Sequence, residues 1–119
     1  MDRKAKGKDA EKAAETFLKK QGLRSLLRNA SCRMGEIDLV MNEGETIVFI
    51  EVRQRSSSRF GGAAQSVDSI KQRKLIQTAQ LLLQQHPEWS SRPCRFDVIA
   101  FESGSAREPP IWYKDAFRP

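Results

Sequence analysis

The segment 47–52 limits the fold more than any other part of the chain. Ile47 and Phe49 alternate with Val48, Ile50 and Val52, so a strand built from it is apolar on both faces over most of its length. Such a strand is central in its sheet and needs cover on each side. Segment 37–41 reads as a second strand, and Asn42-Glu43-Gly44-Glu45 between the two is turn chemistry. The pair is therefore expected as a hairpin.

The cover comes from two helical patterns. In segment 9–21, Ala10, Ala13, Ala14, Phe17 and Leu18 fall on one face, and Gly22 closes the run. Glu11 sits on the border of that stripe beside Leu18, and Glu15 further out. A second helix is capped by Ser66 or Asp68 and runs to about residue 85. Leu75, Ile76, Ala79, Leu82 and Leu83 form its core face, and His86-Pro87 stops it. Segments 23–27, 95–101 and 111–114 read as further strands. A polar connection is expected over 28–33, a basic Ser- and Gly-rich loop holding Phe60 over 53–64, and a frayed start over 1–8. The order predicts an α/β (α+β) sheet with helices packed on it, in one domain across the 119 residues.

Charge and composition narrow the function. The formal net charge of +6 favours an anionic partner, nucleic acid before a membrane surface; the plainer alternative is a basic but ordinary surface. One histidine and two distant cysteines, Cys32 and Cys94, leave no zinc site of Cys/His type. Those cysteines are expected as reduced core residues. His86 is expected at the surface of a helix end, which leaves no Ser-His-Asp arrangement. Gly61-Gly62 lacks the G-K-[ST] of a P-loop. No apolar run approaches the roughly 20 residues of a membrane span, and the N-terminus lacks a signal-peptide core. A cytoplasmic location is expected.

The hairpin concentrates carboxylates. With a four-residue turn, paired residue numbers sum to 87, so Glu36 faces Glu51 and Asp38 faces Phe49. Glu36, Asp38, Glu51 and Arg53 then emerge on one side of the sheet. Asp38 and Glu51 become diagonal neighbours at roughly 7–8 Å, close enough to converge on one cation. Glu51 also breaks an otherwise apolar strand, and burying a lone carboxylate there is costly. The competing reading is a solvated ion-pair network. On the second helix Gln72 lies inside the core face and Lys71 at its edge, both in the first turn. Lys71, Arg73 and Lys74 crowd that N-terminus against the helix dipole, so an anionic group nearby would relieve them.

These segments also resemble a known family. Met34-Gly35-Glu36-Ile37-Asp38-Leu39-Val40 looks like the GEIDL motif of the YraN-like uncharacterised bacterial proteins. Val48-Phe49-Ile50-Glu51-Val52-Arg53-Gln54-Arg55 resembles their VFVEVK-x-R motif, and Lys71-Gln72-Arg73-Lys74 and Arg95-Phe96-Asp97-Val98 resemble two later ones. The likeness runs from about residue 7 to residue 101. It implies the PD-(D/E)XK fold of restriction endonucleases and Holliday-junction resolvases, with a central mixed sheet flanked by helices. It further implies Asp38 and Glu51 as direct ligands of Mg²⁺ or Mn²⁺, Glu11 as auxiliary carboxylate, Arg53 as the residue that steadies the phosphate, and Gln72 as a helix residue entering the site. Glu36 belongs to the motif without an assigned role. Arg53 stands where the superfamily usually has Lys. It donates to phosphate but holds its proton at neutral pH, so it cannot be a general base.

The leading expectation is thus a metal-dependent endonuclease on DNA, branched DNA included, with Arg55, Arg59, Lys71 and Lys74 binding the phosphate backbone. RNA is the second candidate substrate, and a homodimer is compatible with the sequence. The alternatives are a non-catalytic nucleic-acid-binding module of degenerate nuclease fold, or an accessory protein docking on a larger complex through Trp112, Tyr113 and Phe117. Packing of those aromatics on the core is the preferred reading of the three.

Overall fold

The computed structural model of the protein describes residues 3–54, 66–103 and 106–119, with side chains from residue 8 onward. In chain order the elements are α1 (Arg3–Lys20), β1 (Arg24–Cys32), β2 (Gly35–Glu43), β3 (Thr46–Gln54), α2 (Ser69–Gln85), a short 3₁₀ turn (Pro87–Trp89), β4 (Cys94–Phe101) and β5 (Ile111–Phe117). The five strands form one mixed sheet in the order β1-β2-β3-β4-β5. Only β3 and β4 run parallel, and the chain between them passes through α2. β3 is central, as its two apolar faces require. The architecture is α+β and consistent with a restriction-endonuclease-like core.

Each face of the sheet has its own core. Ala10, Ala14 and Leu18 of α1 pack with Leu39, Met41, Val48, Ile50, Ile99 and Phe101. Leu75, Ala79 and Leu82 of α2 pack with Ile37, Val40, Ile47, Phe49, Phe96 and Val98 on the opposite side. Asp68 caps α2, its carboxylate accepting from the Lys71 N–H at 2.9 Å. None of the described helices is long and apolar enough to cross a membrane.

Several expectations are corrected. α1 starts at Arg3 rather than at residue 9. Residues 28–32, read as a polar connection, continue β1. An edge strand keeps polar residues toward solvent, and register shifts between Ser25 and Leu27 hide its alternation. Likewise β5 continues to Phe117. The β2–β3 register sums to 89, not 87: Leu39 pairs with Ile50 and Glu43 with Thr46. The turn is therefore the two residues Gly44 and Glu45, and Gly44 at φ 60° takes the left-handed conformation that such a hairpin turn needs. Cys32 and Cys94 are free as expected, but Cys94 is exposed and Cys32 half-buried, so neither is a core residue. His86 ends α2 and stacks on Trp89 at 4.2 Å.

β5 is held to the sheet by a buried carboxylate. Asp97, fully excluded from solvent, accepts from Arg95 Nε at 3.0 Å, Trp112 Nε1 at 2.9 Å and the Asp115 N–H at 2.9 Å. Trp112 meets Phe17 edge-on, and Phe117 stacks on Phe96. Trp112 and Phe117 thus pack against the core. Asp97→Ala leaves the Trp112 and Asp115 N–H donors without this acceptor and takes from Arg95 one of its two carboxylates, Glu43 being the other, and should cost about 3–5 kcal/mol in urea denaturation. A loss below about 1 kcal/mol would contradict this role.

Candidate functional site

The site arises where the β1–β2 hairpin changes faces. Leu39 and Met41 pack on the α1 side, yet Ile37 packs on the α2 side. Strict alternation would keep all three together, so β2 turns over at Asp38. β1 turns over with it: Leu27 and Ala30 both join the α2-side core, and Asn29 between them has φ 49°. Asn29 lies between the Arg28–Leu39 and Ala30–Ile37 pairs, opposite Asp38. Non-glycine residues rarely adopt this backbone, and Asn is among the few that do so readily.

The turnover removes β2's backbone from the end of β3. The last β2–β3 pair is Leu39–Ile50. Beyond it the Val52 N–H donates to Asp38 Oδ2 at 2.9 Å. Asp38 and Glu51 are the residues just past that last pair, and the two carboxyls act on one another by charge. Glu51 follows Phe49 on the α2 side and is only 5% exposed. Its Oε2 lies 3.2 Å from Arg53 Nε and 3.5 Å from Lys71 Nζ. Arg53 Nε makes no hydrogen bond to that oxygen, and it is a buried donor without an acceptor among the described residues.

α1 supplies the third carboxylate. Glu11 accepts from Asn29 Nδ2 at 3.1 Å and lies near enough to Asp38 to feel its charge. Asp38 acts in the same way on Glu51, so the charges of the three carboxyls are linked through Asp38. Burial, then the Asp38 charge, pushes the Glu51 carboxyl up to about 8 despite its two cations. Burial and the charges of Asp38 and Glu36 push Glu11 up to about 7. At neutral pH this cluster holds protons that carboxyls ordinarily release.

The sequence-derived site residues are placed as follows. Glu11, Asp38, Glu51, Arg53 and Lys71 come together. Glu36 does not share a face with Glu51: it is exposed, precedes Ile37 in the turned-over segment and acts on Glu11 by charge. Gln72 directs its amide away from the carboxylates, donating to the Val67 carbonyl at 3.1 Å. Lys74 and Arg73 are exposed. Arg55 and Arg59, with the loop around Phe60, lie outside the described residues. Two residues escaped the sequence reading. Asn29 sat in a segment taken for a connection, and its only signal was its tolerance of the left-handed region. Glu15, expected outside the core stripe, is buried; burial pushes its carboxyl up, but hydrogen bonds from Arg28 and Ser25 hold it below the usual range. Gly35 has a local cause too: at φ 151° a Cβ there would lie 3.0 Å from Thr78 Oγ1 of α2.

Hard carboxylate oxygens suit Mg²⁺ or Mn²⁺. Among the described residues no group of three or more His, Cys, Asp or Glu side chains is placed to hold a metal ion. A metal here would thus draw on the Asp38–Glu51 pair and water. That is a normal set for Mg²⁺, which keeps several waters beside one or two carboxylates. The Asp38–Glu51 carboxyl pair fits such an occupant, since a cation would supply the positive charge that burial and mutual repulsion leave the pair wanting; the Arg53 donor beside it fits an anionic oxygen instead.

Comparison with known proteins places these residues in a family. The family model described as "Uncharacterised protein family UPF0102" matches residues 10–101. This chain belongs to that family. A UPF0102 protein of Pseudomonas savastanoi pv. phaseolicola is 51% identical over 116 residues, covering 97% of this chain and 94% of its own. One from Pseudomonas aeruginosa is 46% identical over 114 residues, covering 94% and 91%. One from Stutzerimonas stutzeri is 50% identical over 111 residues, covering 93% and 92%. The UPF0102 match spans every residue of the carboxylate site; β5 lies beyond it.

Two outcomes follow from this geometry. Glu11 and Glu51 bind protons more tightly folded than unfolded. Between their ordinary value of 4.5 and folded values of about 7 and 8, the folded chain holds more protons. Metal-free stability should therefore fall as pH rises through that window. Melting should occur at a higher temperature at pH 5 than at pH 8, and Asp38→Asn should flatten the difference; equal melting of the parent at both would contradict it. Separately, Asn29→Val should destabilise by about 1–3 kcal/mol through backbone strain, whereas Asn29→Gly should keep the stability but lose the Glu11 contact. Equal denaturation midpoints for the two variants would remove the backbone argument.

Proposed function

We propose that this protein is a Mg²⁺- or Mn²⁺-dependent endonuclease that hydrolyses phosphodiester bonds in DNA. The observation that supports this reading most is the buried Glu51 carboxyl against Asp38, with Arg53 and Lys71 on its other side. Structural ion pairs are built to neutralise; this cluster keeps a carboxyl protonated and leaves a buried guanidinium donor unused. Asp38 and Glu51 would hold the ion, and Glu11 would adjust the charge around Asp38. Such an ion supplies positive charge to a phosphoryl oxygen and acidity to water.

The remaining work falls to the chain's own groups. The Val52 N–H holds Asp38 Oδ2 in place, so the carboxylate does not have to be ordered on binding. Arg53 offers donors to a phosphate oxygen and keeps its proton, so it stabilises charge without acting as base. Lys71 brings a second cation from the first turn of α2. Glu51 ionises as its proton leaves, which strengthens its hold on a cation.

A second reading is a binding module without catalysis. Arg53, in place of the usual Lys, favours it, because a guanidinium that keeps its proton cannot activate water as a base. The two are separated by incubating the protein with linear, flapped and four-way DNA in Mg²⁺, Mn²⁺ or EDTA. The nuclease reading predicts cleavage in either ion and none in EDTA, abolished by Glu51→Ala and retained by Arg53→Lys. Cleavage that survives Glu51→Ala would place the activity elsewhere. Binding without cleavage in both ions would select the module.

A further inference from the structure

The pairing of strands sets three residues in a row across the α2 side of the sheet. Glu51 pairs with Val98, and Val98 with Tyr113. At about 4.8 Å per strand, Glu51 and Tyr113 stand roughly 10 Å apart. Beside Tyr113, between β5 and the first turn of α2, opens a cleft of about 290 Å³, lined by Val67, Gln72, Val98, Tyr113, Lys114, Ala116 and Phe117. Its helix wall is Gln72, the residue after Lys71, whose ammonium reaches Glu51.

The lining is aromatic, aliphatic and amide. Phe117 continues the stack of Phe49 and Phe96. Gln72 presents an amide fixed by the Val67 carbonyl. Tyr113 is 37% exposed on an edge strand whose other two aromatics are packed. The one cation on the lining is turned elsewhere: Lys114 Nζ lies 4.7 Å from the centre of the Trp112 ring and 3.5 Å from Glu43 Oε2. Among the described residues the lining is aromatic and aliphatic with no cation turned inward, which suits a nucleobase better than a phosphate, since stacking needs only a π-face.

We propose that this cleft binds an unstacked nucleobase, so that the DNA this protein takes carries an unpaired nucleotide beside the phosphate at the Asp38–Glu51 site. The inference rests on the nucleic-acid reading of that site. A base within a duplex cannot enter a side cleft without leaving its stack, and unpaired bases do so at least cost. The cleft therefore selects single-stranded or branched DNA over continuous duplex.

The test is fluorescence anisotropy in EDTA with labelled oligothymidine and a labelled blunt duplex of equal length. The parent should bind oligothymidine more tightly than the duplex. Tyr113→Ala should lower the ratio of the two affinities roughly tenfold, and Tyr113→Phe, which keeps the ring, should restore it. Lys71→Ala should weaken both probes together and leave the ratio. Parent binding with no preference, or a Tyr113→Ala loss equal on both probes, would overturn the base cleft while leaving the nucleic-acid reading standing. Absence of binding to either probe would overturn both.

Discussion

Burial of the Glu51 carboxyl against Asp38 is the constraint on which the rest of the site depends. An isolated carboxylate in an apolar strand is too costly to keep ionised. The chain answers with a proton, two cations set to one side, and a second carboxylate that is itself tied down. Asp38 is held by the Val52 N–H, a donor that would otherwise belong to the sheet ladder. That bond exists only because the β1–β2 hairpin turns over at Asn29 and Asp38. The deformation and the charge cluster are therefore one feature: straightening the hairpin would restore the ladder and disperse the carboxylates.

The two helices complete the arrangement from opposite faces. α1 presents Glu11 and α2 presents Lys71, and the turnover of β2 lets Asp38 reach toward both sides. This makes the site a property of the whole sheet end rather than of one face. Arg53 and Lys71 offset part of the repulsion among the three carboxyls, and burial of Glu51 accounts for the rest of the raised proton affinity. Away from this end the protein spends its buried charge on cohesion. Asp97 with Arg95 and Trp112, and Glu15 with Arg28 and Ser25, are fully partnered. They contrast with the under-partnered Arg53 donor beside Glu51.

The sequence made the central strand, both helices and the family motifs legible, because apolar periodicity and cap residues act locally. Asp38, Glu51, Arg53 and Lys71 were brought together correctly from their placement on strand ends and the first helical turn. The register was missed by two positions because a two-residue and a four-residue turn place glycine similarly. That error preserved the pairing of faces, so the Asp38–Glu51 contact survived it. The shared face for Glu36 did not survive, since period-two reasoning assumes a regular strand and β2 turns over. β1 was half lost for the same cause, with Asn29 and the Ser25–Leu27 irregularity masking its alternation. Gln72 was placed by the helical wheel on the right face, but a wheel does not show that the nearest acceptor is the Val67 carbonyl. Tyr113 was weighed only as part of an aromatic group, and its separation from Trp112 and Phe117 depends on β5 pairing with β4.

The central claim is that Glu51 is a protonated, cation-seeking carboxyl rather than a partner in a settled ion pair. Carbon-detected NMR titration of the glutamate side-chain carboxyls measures this directly, first without metal and then in Mg²⁺. Glu51 is expected to titrate above neutral pH in the metal-free protein and to drop into the ordinary carboxylate range when Mg²⁺ is present. A Glu51 that titrates in the ordinary range without metal, or whose titration Mg²⁺ leaves unmoved, would contradict it.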